Sequence, residues 1–261
     1  MTLSLCREKR KIAVAFGRAA RHYDTIAYYQ QATGNQLLTQ LTAALSSEQR
    51  TAPLHILDAG CGTGYFSQKL TQQGYQVTAL DLSVGMLDEA KSKSAADCYL
   101  CADMEAIPLE DQSVDVVFSN LAIQWCPDMT RVLSELYRVT KRGGIIVFST
   151  LGKHSLAELS AAWKALDDAP HVNAFLSFTQ MNDCCRMWRN QLTLQEDTLY
   201  FSDITELLHS LKGVGATHLT AGRKTGLMTR QRLQQLDLAY PMTDRGLPLT
   251  YQTVFGVLYR D

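Results

Sequence analysis

Leu57-Asp58-Ala59-Gly60-Cys61-Gly62-Thr63-Gly64-Tyr65 is the stretch that decides how this chain is read. It follows a short apolar run, Leu54-His55-Ile56-Leu57, that reads as a buried strand, and it leads into a helical pattern from Phe66 to Leu70. Glycine at every second position lets the backbone turn sharply and approach a ligand where a Cβ would collide. The helix beyond aims free N–H groups at whatever sits in the turn. These features predict a nucleotide-type site at the first strand-to-helix turn of an α/β sheet.

Spacing narrows the ligand. A dinucleotide fingerprint is G-x-G-x-x-G, its third glycine placed where the helix packs on the strand. Here the glycines run G-x-G-x-G, Tyr65 occupies the position that fingerprint needs, and the strand itself carries an acid, Asp58. The stretch resembles motif I of the class I S-adenosylmethionine methyltransferases, E/D-x-G-x-G-x-G. An NAD site and a purely structural glycine turn are the competing readings.

Downstream residues repeat one pattern. Gln76 to Asp81 reads as a second strand closing on an acid, where such sheets place a carboxylate for ribose hydroxyls. Met86 and Leu87 fall on the next helix, and Cys98 to Met104 reads as a third strand closing on Asp103. Each acid alone has an ordinary use as a strand-end cap or turn residue. Val114 to Asn120 is a near-continuous apolar run, as expected of a central strand buried on both faces. Ligands bind outside the carboxyl ends of such strands, which puts Ser119, Asn120, Gln124 and Trp125 near the reacting end. A helix is expected over Met129 to Thr140, stopped by Gly143-Gly144, and then a fifth strand over Ile145 to Thr150. Strand and helix alternate throughout, so the predicted fold is α/β and Rossmann-like, mostly parallel, with a helical cap.

Length and composition agree. A chain of 261 residues with 46% hydrophobic content can bury an α/β core plus an accessory piece. A net charge of −1 argues against a general nucleic-acid binder. No apolar run is long enough for a membrane span, and no signal-peptide core is seen at the start. Seven scattered cysteines fit a reducing cytoplasm. Cys98-x-x-Cys101 has metal-like spacing but no second pair, so buried thiols are expected and no metal site.

Beyond Thr150 helices are expected over Ser155 to Leu166, before Met187, from Asp203 to Gly213 and over Thr229 to Tyr240. Asp203 and Glu206 have capping-box spacing. Strands are expected over Leu192 to Phe201 and Leu249 to Arg260. The resulting division is an N-terminal helical lid (1–45), a donor-binding core (46–152), a mostly helical cap with one core strand (153–245) and a final core strand (246–261).

The N-terminal segment carries a second signal. Projected as a helix, Arg7, Arg10, Lys11, Arg18 and Arg21 fall within about one-third of the circumference, and Ile12, Phe16, Ala19, Ala20 and Tyr23 fall opposite. A solvated face explains this, as does a docking face for an acidic macromolecule. Gly17, at a cost of about 1 kcal/mol relative to Ala, predicts a helix ordered only conditionally, closing over a bound donor.

Ala15-Phe16-Gly17-Arg18-Ala19-Ala20-Arg21-His22-Tyr23-Asp24 resembles the opening of the malonyl-acyl-carrier-protein O-methyltransferases, which begin pimeloyl synthesis for biotin. Ser119 to Cys126 and Ser210-Leu211-Lys212-Gly213-Val214-Gly215-Ala216-Thr217-His218-Leu219 are similar to the same family, and the likeness runs from about residue 10 to the end of the chain. Thr63 stands where some members have proline. The resemblance implies methyl transfer from S-adenosylmethionine to the free carboxylate of a malonyl thioester on acyl carrier protein, or malonyl-CoA. In it the final strand inserts antiparallel at the sheet edge, and Gly60, Gly62 and Gly64 admit the donor. Asp58 positions its amino-acid portion, Asp81 the ribose, and Asp103 with Met104 the adenine, while Asn120 and Tyr23 flank the methionine end. Cys61 and Leu82 complete the set. A malonyl carboxylate is already ionised at neutral pH, so no acid–base residue is expected. Arg18, Lys212, His218 and Arg223 are candidates to hold that carboxylate, with Tyr23, Gln124 and Trp125 for positioning. Methylation of a small molecule such as a quinone ring, and a donor-binding regulator without turnover, are the alternatives.

Overall fold

The computed structural model describes residues 3–213 and 229–261, with side chains from residue 7 onward. Its strands are β1 (His55–Ala59), β2 (Gln76–Asp81), β3 (Cys98–Cys101), β4 (Val114–Asn120), β5 (Thr140–Leu151), β6 (Arg189–Phe201) and β7 (Leu247–Tyr259). They form one sheet in the order β3-β2-β1-β4-β5-β7-β6. The β3-β2-β1-β4-β5 run is parallel, and β7 pairs antiparallel with both β5 and β6. The final strand was expected at the sheet edge, but it lies inside, and β6 takes the edge. Burial gives the reason. From Tyr251 to Leu258 β7 is buried at every position, as an inner strand must be, whereas β6 leaves much of its length exposed.

Successive side chains point to opposite faces of the sheet, and each face has its own core. Leu57, Val117 and Phe148 pack with Val132, Leu133 and Leu136 of α5 (Met129–Val139) and Met181 of α7 (Phe178–Cys185). Ile56, Phe118 and Val147 pack on the other face with Leu37 and Leu41 of α2 (Tyr28–Ala44) and Leu70 of α3 (Tyr65–Gln72). A third cluster joins α6 (Ala157–Lys164), α8 (Ile204–Gly213) and α9 (Arg230–Ala239) to Tyr29, Leu249 and Tyr251. Among the described residues no helix is long and apolar enough to cross a membrane.

Three local expectations are corrected. Helix α5 ends at Val139, before the glycines, and Arg260 supplies its cap, donating to the carbonyls of Tyr137, Arg138 and Thr140. Gly143 and Gly144 lie inside β5, where the pairing with β4 shifts register. Asp203 does cap α8, accepting from the Thr205 and Glu206 N–H groups at 2.8 and 2.9 Å, but Glu206 reaches back to the Ser202 N–H at 2.8 Å, one residue early for a capping box. Cys98 and Cys101 are exposed, because β3 is the other edge of the sheet.

Candidate active site

The loop after β1 is fastened before any side chain acts. Gly60 and Cys61 both donate their N–H to the Leu80 carbonyl, at 2.7 and 2.9 Å, which ties the turn to the end of β2. Gly62 has φ +54°, and a Cβ there would meet nothing within 4 Å, so its backbone borders open space. Gly64 differs. A Cβ on it would come 2.6 Å from the Ala95 Cβ, and it lines none of the three cavities described below; it starts α3 against neighbouring packing.

Carboxylates surround that loop. Asp81 accepts from the Gly62 N–H at 2.9 Å and the Ser83 N–H at 2.7 Å. These bonds use about half of a carboxylate's acceptor capacity, leaving the rest for a ligand's hydroxyls. Asp58 is buried and accepts one side-chain bond, from the Ser67 hydroxyl at 2.6 Å. Burial, more than the nearby Asp81, pushes the Asp58 carboxyl up to about 7, and burial also raises Asp81. Asp103 lies two residues past the end of β3 rather than on the strand, and takes Lys9 Nζ at 2.5 Å.

Helix α1 (Leu3–Ile26) closes the site from above. Ile12, Phe16 and Tyr23 line a cavity of about 720 Å³ together with Gly60, Gly62, Asp81, Leu82, Asp103 and Met104. That size suits a small-molecule site. Tyr23, Gly60, Gly62 and Asn120 also border an adjoining space of about 420 Å³ that holds Asp58 and Cys61. Burial, then Asp81 and Asp24, raises the Tyr23 phenol. Asn120 is held on both sides, donating to the Gln30 carbonyl at 2.9 Å and accepting from the Ser149 hydroxyl at 2.8 Å. Trp125 stands edge-on to Phe16, ring centroids 5.1 Å apart, and borders both the 720 Å³ cavity and a third one of about 930 Å³. Gln124 lines only that third cavity, accepting from the Thr150 hydroxyl at 3.2 Å.

The helix is anchored at three places. Gly17 lies against Gly85 of α4 (Val84–Ser92), so closely that a Cβ on Gly85 would be 2.9 Å from the Gly17 Cα. The glycine expected to weaken the helix is therefore its packing point. Asp24 accepts from the Thr63 hydroxyl at 2.5 Å and from Lys93 Nζ at 2.7 Å. Lys9 makes the third anchor, on Asp103 and Glu105.

Sequence reading missed Lys9, Asp24 and Gln30, whose partners lie 39 to 96 residues away. The projected apolar face, which included Ile12, Phe16 and Tyr23, was the signal that did point here. Arg7, Arg10, Lys11, Arg18 and Arg21 are all exposed on α1. Arg18 and Lys212, offered as carboxylate holders, are exposed and line none of the three cavities. His218 and Arg223 lie outside the described residues.

A methyltransferase-domain family model matches residues 57–148. The chain is 50% identical over 254 residues to the malonyl-[acyl-carrier protein] O-methyltransferase of Yersinia pestis, covering 97% of this chain and 92% of that one. It is 49% identical over 253 residues to the enzyme of the same name from Hamiltonella defensa, covering 97% and 95%. The chain belongs to the malonyl-[acyl-carrier protein] O-methyltransferase family. Among solved structures it is similar to the YcgJ protein of Bacillus subtilis, with a TM-score of 0.61 at 15% identity, over 87% of this chain and 99% of that one. That likeness concerns the fold: a class I S-adenosylmethionine methyltransferase sheet with flanking helices. The family settles the choice between donors in favour of S-adenosylmethionine over NAD.

Proposed function

We propose that this protein transfers a methyl group from S-adenosylmethionine to the free carboxylate of a malonyl thioester on acyl carrier protein. The observation that carries this reading is the 49–50% identity to malonyl-[acyl-carrier protein] O-methyltransferases over nearly the whole chain. By the family resemblance the resulting malonyl methyl ester primes pimeloyl synthesis for biotin.

The residues around the loop suit the donor. Asp58 offers a buried carboxylate to the ammonium of its amino-acid portion, and Asp81 has acceptor positions left for ribose hydroxyls. Asp103 receives the adenine amino group, with Met104 and Leu82 beside the ring. Cys61, Asn120 and Tyr23 border the methionine end. The donor supplies a methyl group activated on a positively charged sulfur. What remains for the chain is to align the acceptor and exclude water. The malonyl carboxylate is ionised at neutral pH, so no residue has to move a proton. Alignment can supply about 7–11 kcal/mol of the barrier. Ile12, Phe16 and Trp125 provide the dry wall that keeps water from competing.

The cavity beyond Trp125, with Gln124 and Thr150 among Phe175, Leu176 and Met181, takes the thioester arm in this reading. The lid (1–45), core (46–152), cap (153–245) and final strand (246–261) divide the labour. The exposed stripe of Arg7, Arg10, Lys11, Arg18 and Arg21 docks the acidic carrier protein. Exposed, unpaired Cys98 and Cys101 fit a reducing cytoplasm. The test is incubation of purified protein with S-adenosylmethionine and malonyl-acyl carrier protein, followed by mass spectrometry, with malonyl-CoA in parallel. One added, base-labile methyl on the acyl group is expected. No methylation of either acceptor would contradict the proposal.

A further inference from the structure

Helix α1 turns Arg7, Arg10 and Lys11 outward, yet Lys9 between them points in and is only 6% exposed. Its Nζ donates to Asp103 Oδ2 at 2.5 Å and to Glu105 Oε2. Glu105 is itself 3% exposed. The second oxygen of Asp103 accepts the Glu105 N–H at 3.0 Å, and Arg131 Nε donates at 3.1 Å to the Glu105 carbonyl, leaving the Glu105 carboxylate to Lys9. Lys9 and Asp103 both line the donor cavity, one from the lid and one from the floor. A buried and a half-buried carboxylate thus share one ammonium across the closing edge of the site.

This arrangement bears on recognition of the nucleobase. Burial alone would lower the Lys9 pKa, but its hydrogen bonds to Asp103 and Glu105 more than offset that and hold it above the ordinary lysine value, so it stays charged. An exocyclic amine donates hydrogen bonds, and the Asp103 carboxylate must be held where it can accept them. Without the ammonium, two neighbouring carboxylates would repel each other, and Asp103 would lose the partner that fixes its Oδ2 at the edge of the cavity.

We propose that Lys9 is a positioning residue of the donor site: by neutralising Glu105 and anchoring Asp103 it holds Asp103 in place as the acceptor for an exocyclic amine, and it fastens α1 over the bound nucleoside. This rests on the donor assignment made above. No other cation borders the three cavities among the described residues, so Lys9 has no substitute.

The experiment is calorimetric titration of the full-length protein with S-adenosylhomocysteine and with S-inosylhomocysteine, whose base carries a carbonyl in place of the amine. Lys9→Met is expected to weaken S-adenosylhomocysteine binding about tenfold or more, the scale of a lost charge-assisted contact. It is also expected to narrow the preference for the adenosyl over the inosyl ligand, which a purely structural loss would leave unchanged. Lys9→Arg should restore much of that preference. The double variant Lys9→Met/Glu105→Gln, which removes the surplus carboxylate charge, should regain much of the lost affinity, and it keeps the test open if the single variant folds poorly. An unchanged ligand preference in Lys9→Met, or a double variant no better than the single, would overturn the proposal. Failure of the unmutated protein to bind S-adenosylhomocysteine would instead overturn the donor assignment.

Discussion

The loop after β1 and helix α1 face each other across one cavity and are built by opposite means. The loop depends on short-range contacts: Gly62 N–H to Asp81 spans 19 residues, and Ser67 to Asp58 spans nine. The helix depends on contacts that exist only once the sheet is assembled, from Lys9 to Asp103 and Glu105, from Gly17 to Gly85, and from Asp24 to Thr63 and Lys93. The loop side is therefore organised before a ligand arrives. The helix side can be released one anchor at a time without disturbing the sheet. One wall sets what binds, and the other sets how firmly it is enclosed.

Gly60→Ala attacks the first wall most severely. Gly60 has φ +81°, and a Cβ there would come 2.3 Å from the Ala122 Cβ. The left-handed backbone costs about 1–2 kcal/mol and overpacking about 1–3 kcal/mol more. Donor affinity should fall about a hundredfold or the chain should lose about 2–5 kcal/mol of stability. Urea denaturation followed by circular dichroism, together with donor titration, checks this. Wild-type values in both would contradict the account of the loop.

Asp58→Asn separates binding from stability on the same wall. The folded Asp58 loses its proton near pH 7, whereas an unfolded Asp does so near pH 3.9. Between those values the folded state holds a proton that the unfolded chain has released. Stability from this group therefore falls as pH rises through that window, by about 1.4 kcal/mol per unit and at most about 4 kcal/mol in all. Asn removes that slope. The variant should gain melting temperature relative to wild type at pH 8 more than at pH 5, while its donor affinity at pH 8 drops at least about tenfold. In the unmutated protein donor affinity should weaken below pH 7, as the carboxylate that receives the ammonium becomes protonated. A pH-independent difference in melting temperature would contradict the reading of Asp58.

Thr63→Val tests the second wall and should have the smallest effect. It removes the hydroxyl that donates to Asp24 at 2.5 Å while keeping the turn. A two- to fivefold loss of donor affinity is expected, about 1 kcal/mol or less. Limited proteolysis within residues 7–23 should also be faster than in wild type. Donor should protect that segment in both proteins, and equal cleavage with and without donor would show that α1 does not close over it.

What the sequence made legible follows the same divide. The bounds expected for β2 and β4, Gln76–Asp81 and Val114–Asn120, are those observed, because apolar runs bounded by turn residues carry their own ends. The acids at strand ends were legible for the same reason. Asp103 was found, but not its attachment to Lys9, since nothing local marks a contact spanning 94 residues. Gly17 was read as a helical weakness because its partner, Gly85, belongs to another helix. Gly143-Gly144 reads locally as a helix stop, and only the pairing of β4 with β5 reveals a bulge. The place of β7 between β5 and β6 is likewise set by tertiary pairing, not by its own alternation.

The most direct measurement is calorimetric titration of wild-type and Asp81→Ala protein with S-adenosylhomocysteine and with NAD. Expected are one S-adenosylhomocysteine site per chain, affinity at least about tenfold weaker in Asp81→Ala through loss of a charge-assisted hydrogen bond, and no binding of NAD. NAD binding to the wild type, or S-adenosylhomocysteine affinity unchanged in Asp81→Ala, would contradict the donor assignment.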